Sequence, residues 1–460
     1  MLIGAGATAN TTATIINDVS RLNPVEVSQY YKPSELTALT QILKKAKLAN
    51  KPITISGSRH SQGSQIANSE SIHIDMRNYN KVLDLDLSNK RIRVQSGATW
   101  EAVQAAINPH GLAVKVMQSS GIFTVGGSLS ANCHGRDPRF GPISDTVISL
   151  RLLAADGQIK ELSWGKNEEL LRAVLGGYGL LGIILDVDLI LTDNELYTQD
   201  TKAISIGDYA NFVNTELRDT STIGLHYGRL SIAPNTLLND MHMTNFKVIQ
   251  NESVKHPLKN ESYVRRNMFL LDLSRRYSWG KRLRWFLQER AEKNSERKNK
   301  AGISRNNAMR PPVRFLEYHS KTDTDILQEY FIPIDSFEAF IDELRALIIK
   351  HEINLISITT RYMPENKDAI LSYSTKETIA IVLYINQGLS DEAIKRAEVW
   401  TQELLEISSA YKGHYYLTYQ LYPSKEQFEK QYPSYNQFNE IKKKHDPMLI
   451  FRSSFYDRYF

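Results

Sequence analysis

The chain has 460 residues, of which 42% are hydrophobic and 23% charged, so it can bury an ordinary core and form two or three globular domains. Its formal net charge of +5 is small for this length and argues against nucleic-acid binding. The single cysteine, Cys133, excludes intramolecular disulfides and cysteine-based zinc clusters, and we predict no metal site. No apolar stretch is long enough to cross a membrane, and the first sixteen residues lack the basic start of a signal peptide. We therefore expect a cytoplasmic protein, with peripheral membrane and exported forms as the alternatives.

Short strands and short helices alternate irregularly through the first 194 residues. In chain order we predict a helix at 32–49, strands at 51–57, 71–76, 81–87 and 91–98, a helix at 100–110, a strand at 112–117, a hairpin at 145–162, and a helix, glycine-rich turn and long strand over 171–191. Ser34 is the expected N-cap of the first helix. This order indicates an α+β fold and not the regular βαβ repeat of a doubly wound sheet.

The chain changes character after Asp193. Here we predict a strand at 225–233, a strand, turn and helix over 329–350, strands at 356–363 and 378–386, and an aromatic-rich region from 415 onward. Residues 264–310 are basic, with 14 Lys/Arg against 4 Asp/Glu, and apolar residues are interspersed among the charges. This stretch is either a solvated helix with one core-facing side or a surface for peripheral membrane contact.

One glycine motif is misleading. Residues 4–9 (GAGATA) match the G-x-G-x-x-A pattern of dinucleotide-binding proteins, and Glu26 stands where the acidic ribose-binding residue would be. However, only three residues precede the motif, which is too few for the required strand. Pro24 also argues against a strand ending at Glu26. We therefore assign no dinucleotide role to this motif.

Four other segments carry the expected chemistry. Residues 56–62 (SGSRHSQ) follow a predicted strand, and their backbone N–H groups can form a nest for a pyrophosphate. Residues 121–135 and 173–184 provide two further glycine-rich approaches of the backbone, and residues 446–453 provide a returning C-terminal segment. In this order and spacing, the four segments resemble the vanillyl-alcohol-oxidase-type flavoproteins.

The resemblance implies a fold and a domain order. It implies a PCMH-type FAD-binding domain over 1–195, an inserted α+β substrate or cap domain with an antiparallel sheet over 196–410, and a segment over 411–460 that returns to the FAD-binding domain. The family holds FAD. The residues that match its cofactor contacts are Ser56, Gly57, Ser58, Arg59, His60, Ser61, Gln62, Ser119, Gly121, Thr124, Val125, Gly126, Gly127, Leu129, Asn132, His134, Gly135, Gly182, Ile183, Ile184 and Arg452.

Within the superfamily, the His60 loop resembles that of alditol and aldonolactone oxidases, in which this histidine bonds covalently to the flavin 8α-methyl carbon. A neutral imidazole nitrogen is a suitable nucleophile near neutral pH. Some relatives add a second link from the cysteine of a C-P-T-V-G motif, but Ile122 holds that position here. We therefore expect one covalent link, through His60, and we expect Cys133 to be a buried small side chain.

Four residues are candidates for the chemistry. His134 follows the second glycine segment, and Glu329 and Arg361 lie on predicted strands similar to those beside the flavin in the family. Tyr419 stands where decaprenylphosphoryl-ribose oxidase, which the C-terminal region resembles, places a lysine. The expected partners are a small alcohol or sugar substrate and oxygen or another electron acceptor. The expected reaction is hydride transfer from a carbinol to the flavin.

Three other functions remain open at this point. One is a non-covalent sugar-lipid oxidase that performs half of an epimerisation, and the second is a C=C reductase. The third is a non-catalytic protein that binds membrane surfaces through the basic stretch.

Overall fold

The computed structural model describes residues 14–250, 253–261, 264–311, 313–314 and 318–460. The GAGATA motif therefore lies outside the described residues. Glu26 lies in a short strand, contrary to the expectation drawn from Pro24. That strand, β2 (Val25–Val27), pairs antiparallel with β1 (Thr14–Ile16), so it is not part of a parallel nucleotide-binding sheet.

A small parallel sheet opens the first half of the chain. It contains β3 (Gln29–Tyr31), β4 (Ile53–Ser56) and β5 (Ile72–Asp75), with β5 in the middle. Helix α1 (Leu36–Ala49) buries Leu39 and Ile42 in the same core cluster as this sheet. The predicted Ser34 cap is wrong. The N-cap residue is Glu35, whose side chain makes no capping bond and instead pairs with Lys81 at 3.0 Å.

A six-stranded antiparallel sheet follows, in the order β10-β9-β11-β7-β6, with β8 also paired to β11. Its strands are β6 (Val82–Asp86), β7 (Arg91–Gln95), β8 (Leu112–Val114), β9 (Val147–Ala154), β10 (Ile159–Ser163) and β11 (Gly182–Asp193). The helices of this region are α2 (Trp100–Ile107), α3 (Val125–Ser130) and α4 (Glu168–Val174). Both the hairpin predicted at 145–162 and the long strand after the glycine-rich turn are confirmed.

An eight-stranded antiparallel sheet dominates the second half, in the order β15-β12-β14-β13-β17-β18-β16-β19. Its strands are β12 (Leu196–Ile204), β13 (Ile223–Leu230), β14 (Met241–Gln250), β15 (Ile303–Ser304), β16 (Asp323–Pro333), β17 (Leu355–Met363), β18 (Thr378–Gly388) and β19 (His414–Tyr415). The helices before β19 are α5 (Ile206–Phe212), α6 (Val264–Arg276), α7 (Ser278–Lys298), α8 (Arg305–Ala308), α9 (Phe337–Lys350) and α10 (Asp391–Ala410).

The two faces of the large sheet have different neighbours. On β16, Gln328 points toward α10 and donates to Thr401 Oγ1 at 2.8 Å. Its neighbour Glu329 points to the opposite face, as the alternation of a strand requires, and lines a cavity there together with residues of α6 and α7. Sheet alternation therefore selects which side chains of this half can meet a ligand.

The C-terminal segment returns to the first half, through α11 (Lys425–Gln431), α12 (Tyr435–His445) and α13 (Ser454–Tyr459). The backbone N–H of Ile53 on β4 donates to Ile450 O at 2.6 Å, and Arg452 N donates back to Ile53 O at 3.2 Å. The α+β class and the antiparallel sheet of the second half are confirmed. The predicted limits of the three segments, 1–195, 196–410 and 411–460, stay a prediction. In the described part of the chain, no helix has both the length and the apolar character needed to cross a bilayer.

Candidate active site

A cavity of about 1440 Å³ lies between the His60 loop, the glycine-rich α3 region and one face of the large sheet. Sites for a single drug-sized ligand usually measure about 300–1000 Å³. This cavity can therefore hold a cofactor and a second molecule together. Its wall combines distant parts of the chain, because residues from within 55–62, 118–136, 325–329, 357–361 and 416–419 line it.

The loop of residues 56–62 forms one end of the cavity. A Cβ atom on Gly57 would lie 1.9 Å from Thr124 Oγ1, so this position requires glycine. Ser58 Oγ donates to Ile122 O at 2.6 Å and ties the loop to the second glycine segment. Arg59 has a positive φ of 60° and forms an ion pair with Asp75 at 3.4 Å. These constraints fix the backbone on both sides of His60.

His60 itself faces the cavity, with its ring 4.4 Å from the ring of Phe123. Burial lowers the pKa of His60 to about 4, and a backbone hydrogen bond with Ser58 opposes this only in part. The imidazole is therefore neutral at physiological pH. Its Nδ1 atom is buried and has no hydrogen-bond partner among the described residues. A neutral ring with a free nitrogen is the form that can act as a nucleophile.

The predicted cofactor contacts divide into two groups. Those that line the cavity are Ser56, Gly57, Ser58, Arg59, His60, Ser61, Gln62, Ser119, Thr124, Gly126, Gly127, His134, Gly182 and Ile184. The structure places the remaining ones elsewhere: Val125, Leu129, Asn132, Gly135 and Ile183 do not line the cavity, and Gly121 borders a small adjacent pocket. Arg452 is exposed on the surface, where its Nε donates to Asp457. The Asp457 carboxylate, five residues away, holds this side chain outside the cavity.

Three of the four candidate catalytic residues form one hydrogen-bonded cluster. His134 Nε2 lies 2.7 Å from Glu329 Oε1, and both side chains are buried. The Tyr419 hydroxyl donates to Glu329 Oε2 at 3.3 Å. The fourth, Arg361, lines the same cavity and donates to Ser119 Oγ at 3.3 Å.

Electrostatics separates the roles that these groups can take. Burial disfavours the Glu329 carboxylate, but the charges and hydrogen bonds of His134, Arg361 and Tyr419 outweigh it and lower the pKa of Glu329. Burial and the nearby Glu329 charge raise the pKa of Tyr419 well above its ordinary value. Tyr419 therefore stays protonated and acts as a donor, whereas ionised Glu329 can accept a proton.

Several polar atoms on the cavity wall have no partner among the described residues. They are Arg59 Nε, His60 Nδ1, Ser96 Oγ, Ser120 Oγ and Arg361 Nε. Buried polar groups in native proteins are almost always hydrogen-bonded, so this set indicates a polar ligand. The combination of free donors, a glycine-shaped loop and a large volume fits FAD.

Sequence reasoning missed some of the wall. Arg136, Tyr227, Arg229 and Arg284 line the cavity but were not singled out. Alternation on the strand predicted at 225–233 places Tyr227 and Arg229 on one face, but nothing local showed which face met the cavity.

The expectation that Cys133 is a buried small side chain is corrected by the structure. Cys133 lines the cavity and is only half-buried.

Comparison with known proteins agrees with this geometry. A model of the "FAD binding domain" matches residues 27–163, and a model of "D-arabinono-1,4-lactone oxidase" matches residues 268–459. L-gulonolactone oxidase from Mus musculus is 23% identical over 452 residues, which is 94% of each chain. Its Bos taurus counterpart is 31% identical over 160 residues, 35% of this chain and 36% of the relative.

A third relative, decaprenylphosphoryl-beta-D-ribose oxidase from Mycolicibacterium smegmatis, is 28% identical over 196 residues, 42% of this chain and 40% of the relative. Together with the cavity, the two family models account for both halves of the chain. The chain therefore combines a PCMH-type FAD-binding domain with a second half similar to D-arabinono-1,4-lactone oxidase, and it is an FAD-dependent oxidoreductase that acts on CH–OH groups.

Proposed function

We propose that this protein oxidises a hydroxyl group of a sugar lactone or a closely related polyol. The observation that carries the proposal is the buried His134–Glu329–Tyr419 cluster in a cavity large enough for FAD and a second molecule. The names of the relatives, which include lactone oxidases and a lactone dehydrogenase, support the substrate class.

The residues of the cluster have different roles in the proposed reaction. When bound, FAD supplies a hydride acceptor for the carbinol carbon. Ionised Glu329 takes the proton of the substrate hydroxyl, while His134 and Tyr419 hold the carboxylate in place through Nε2 and the phenol hydroxyl. Arg361 provides positive charge beside the same cavity, where it stabilises negative charge that develops during the reaction.

We also propose that FAD is linked covalently to His60. Support comes from the free, buried Nδ1 atom and from the depressed pKa, which keeps the imidazole neutral. The rigid backbone of the loop holds this ring at the end of the cavity.

The test of the covalent link is the fate of the flavin after acid precipitation. Fluorescence should stay with the wild-type polypeptide on a denaturing gel and should be absent from His60→Ala. The matched control is His134→Gln, another cavity histidine, which should keep the fluorescent band. Release of flavin from the wild type would overturn the link and favour the non-covalent sugar-lipid oxidase.

The test of the reaction is anaerobic bleaching of the flavin. An aldono-1,4-lactone should bleach wild-type protein, and readmitted oxygen or an added quinone should restore the colour. Bleaching by NADPH alone, with no response to lactones or polyols, would instead support the C=C reductase.

A second proposal concerns the basic stretch. The segment that contains α6 and α7 exposes four aromatic side chains and one methionine, which we together call the aromatic patch: Met268, Phe269, Tyr277, Trp279 and Phe286. Phe269 is 62% exposed and Trp279 is 52% exposed, and the Tyr277 and Trp279 rings stack at 5.5 Å. The two helices contain 11 Lys/Arg against 4 Asp/Glu, an excess larger than the +5 of the whole chain. Aromatic and basic side chains together favour an anionic bilayer surface.

We propose that this aromatic patch makes peripheral contact with anionic membranes. Purified protein should co-sediment with vesicles containing about one-third phosphatidylglycerol and should remain in solution with pure phosphatidylcholine vesicles. Trp279→Ser should weaken the co-sedimentation, whereas Trp164→Ser, at an exposed tryptophan far along the chain, should not. Equal binding by both variants would overturn this proposal without affecting the enzymatic one.

A further inference from the structure

Four arginines converge on the part of the cavity that lies between the large sheet and α7. Arg229 on β13 and Arg361 on β17 point to the same face, because Arg229 pairs with Thr359 and Arg361 lies two residues beyond Thr359. Arg136 joins them from the loop after α3, since its carbonyl accepts a hydrogen bond from His226 N at 2.8 Å on β13. Arg284 reaches the cavity from α7.

These guanidinium groups outnumber the carboxylates that could neutralise them. Arg229 Nε pairs with Glu292 Oε1 at 3.1 Å. Arg136 donates to Ala308 O, and Arg284 donates to Ile356 O, both of which are neutral acceptors. Across the described ranges, no carboxylate lies within ion-pair distance of Arg136, Arg284 or Arg361. The cavity wall therefore carries an excess of positive charge.

Each of these arginines also makes the charged form of its neighbours less favourable. Burial lowers the pKa of Arg136 to about 10, and the neighbouring charges of Arg361 and Arg229 contribute to this. Burial lowers the pKa of Arg284 to about 9, with Arg229 again adding repulsion. A guanidinium remains protonated at neutral pH, so an anion that enters would offset this repulsion.

The geometry suits an oxyanion. The guanidinium carbons of Arg136 and Arg229 lie 5.5 Å and 5.8 Å from the centre of the same ring, that of Tyr227. The Tyr227 ring thus keeps both planar guanidinium groups on one part of the cavity wall. Guanidinium forks bind carboxylates and phosphates through paired N–H donors.

This charged wall is distant from the proposed site of oxidation. Glu329 lies on β16 and Arg229 on β13, which are separated by β18 and β17 in the sheet. Three strand spacings correspond to about 14 Å. A group bound at Arg229 is therefore three strands away from Glu329 on the same face of the sheet.

We propose that Arg136, Arg229 and Arg284 bind an anionic group, a phosphate or a carboxylate, carried by the substrate at the end remote from the oxidised hydroxyl. This proposal rests on the proposed function. It narrows the substrate class from neutral sugar derivatives to extended, anionic ones. A free sugar phosphate and a lipid-linked phosphodiester share this chemistry, and the experiment separates them.

The test uses FAD-loaded protein and inorganic phosphate as the probe. Phosphate should perturb the flavin absorbance or inhibit lactone-driven bleaching in wild-type protein, in competition with a sugar monophosphate such as ribose 5-phosphate. Loss of one charge-assisted contact should raise the phosphate dissociation constant about tenfold or more in Arg136→Gln and Arg229→Gln. Arg136→Lys keeps the charge and should lose less affinity for phosphate than Arg136→Gln. It also allows the test to be made if Arg136→Gln does not fold.

The matched control is Arg297→Gln, which removes an exposed arginine of α7 that does not line the cavity and should leave phosphate binding unchanged. Binding of phosphate but not of ribose 5-phosphate, together with oxidation of a sugar phosphodiester, would identify the lipid-linked source. Three results would overturn the inference: no phosphate effect in the wild type, equal affinity in the Gln variants, or loss of FAD from those variants. Failure of lactones, polyols and sugar phosphates alike to bleach the flavin, with phosphate binding intact, would instead refute the proposed function alone.

Discussion

Two arginines of the same loop, Arg136 and Arg139, differ in whether carboxylates pair with them. Arg139 pairs with Asp137 and with Glu195, each at 2.8 Å, and the fully buried Arg305 pairs with Asp137 at 2.6 Å. We call these four residues the paired cluster. Three positions earlier, Arg136 turns into the cavity, where no described carboxylate pairs with it. The fold neutralises the charges of Arg139 and Arg305 with carboxylates and leaves the charge of Arg136, which faces the cavity, without one.

The difference has an energetic meaning. Removing one partner from a buried ion pair leaves an uncompensated charge, which is strongly destabilising. Removing a charge that has no partner relieves repulsion instead. Substitutions in the two regions should therefore have opposite consequences for stability and for function.

The largest expected effect is on catalysis alone. Glu329→Gln keeps the size of the side chain but removes the base, so the rate of flavin reduction should fall by about 10²–10⁴-fold. Stopped-flow absorbance under anaerobic conditions measures this rate, and thermal unfolding of the same sample checks that the fold is intact. Tyr419→Phe, which removes only one hydrogen bond to the same carboxylate, should lose much less. A Glu329→Gln variant that retains wild-type rates would show that another group takes the proton.

The next effect falls on stability alone. Arg305→Gln leaves Asp137 and Glu195 short of one partner and should lower the free energy of unfolding by about 3–5 kcal/mol. Arg136→Gln, close to it in space but without a carboxylate partner, should cost far less. Urea unfolding of the FAD-loaded proteins compares the two. Similar losses for both variants would contradict the distinction between the paired cluster and the cavity arginines.

The smallest effect concerns a titratable group that the fold keeps neutral. Burial lowers the pKa of His226 to about 4, although its bond to Asn245 opposes the shift. Between the ordinary value of 6.5 and about 4, the unfolded chain binds a proton that the folded protein excludes, so stability should decline as pH falls through this window. Melting temperatures between pH 8 and pH 4.5 measure the decline, which should be shallower in His226→Gln. Identical pH dependence in both proteins would show that His226 does not contribute.

Local signals in the sequence identified contiguous parts of the site. The His60 loop is a single run of seven residues after a strand, so its position could be predicted without the fold. Glu329 and Arg361 were likewise assigned to predicted strands from local periodicity alone. The strands and helices could also be predicted locally, because they depend on short-range periodicity in the sequence.

Long-range pairings could not be predicted in this way. The His134–Glu329 contact joins residues 195 positions apart, and nothing local to either residue specifies it. Arg136 and Arg139 have the same side chain in the same loop, and only their distant neighbours decide which one is paired. The surface position of Arg452 has a different origin, because it depends on Asp457, only five positions later.

The return of the C-terminal segment also determines when the site can form. Gln62 N donates to Thr418 O at 2.7 Å, and Gln65 Nε2 donates to Leu417 O at 2.7 Å, so the loop that carries His60 is closed by residues more than 350 positions later. A ribosome makes these closing residues long after the loop itself. Cofactor capture must therefore await the synthesis of residues 417 and 418, and a nascent chain stalled before residue 417 would expose a half-built pocket to the chaperones around it.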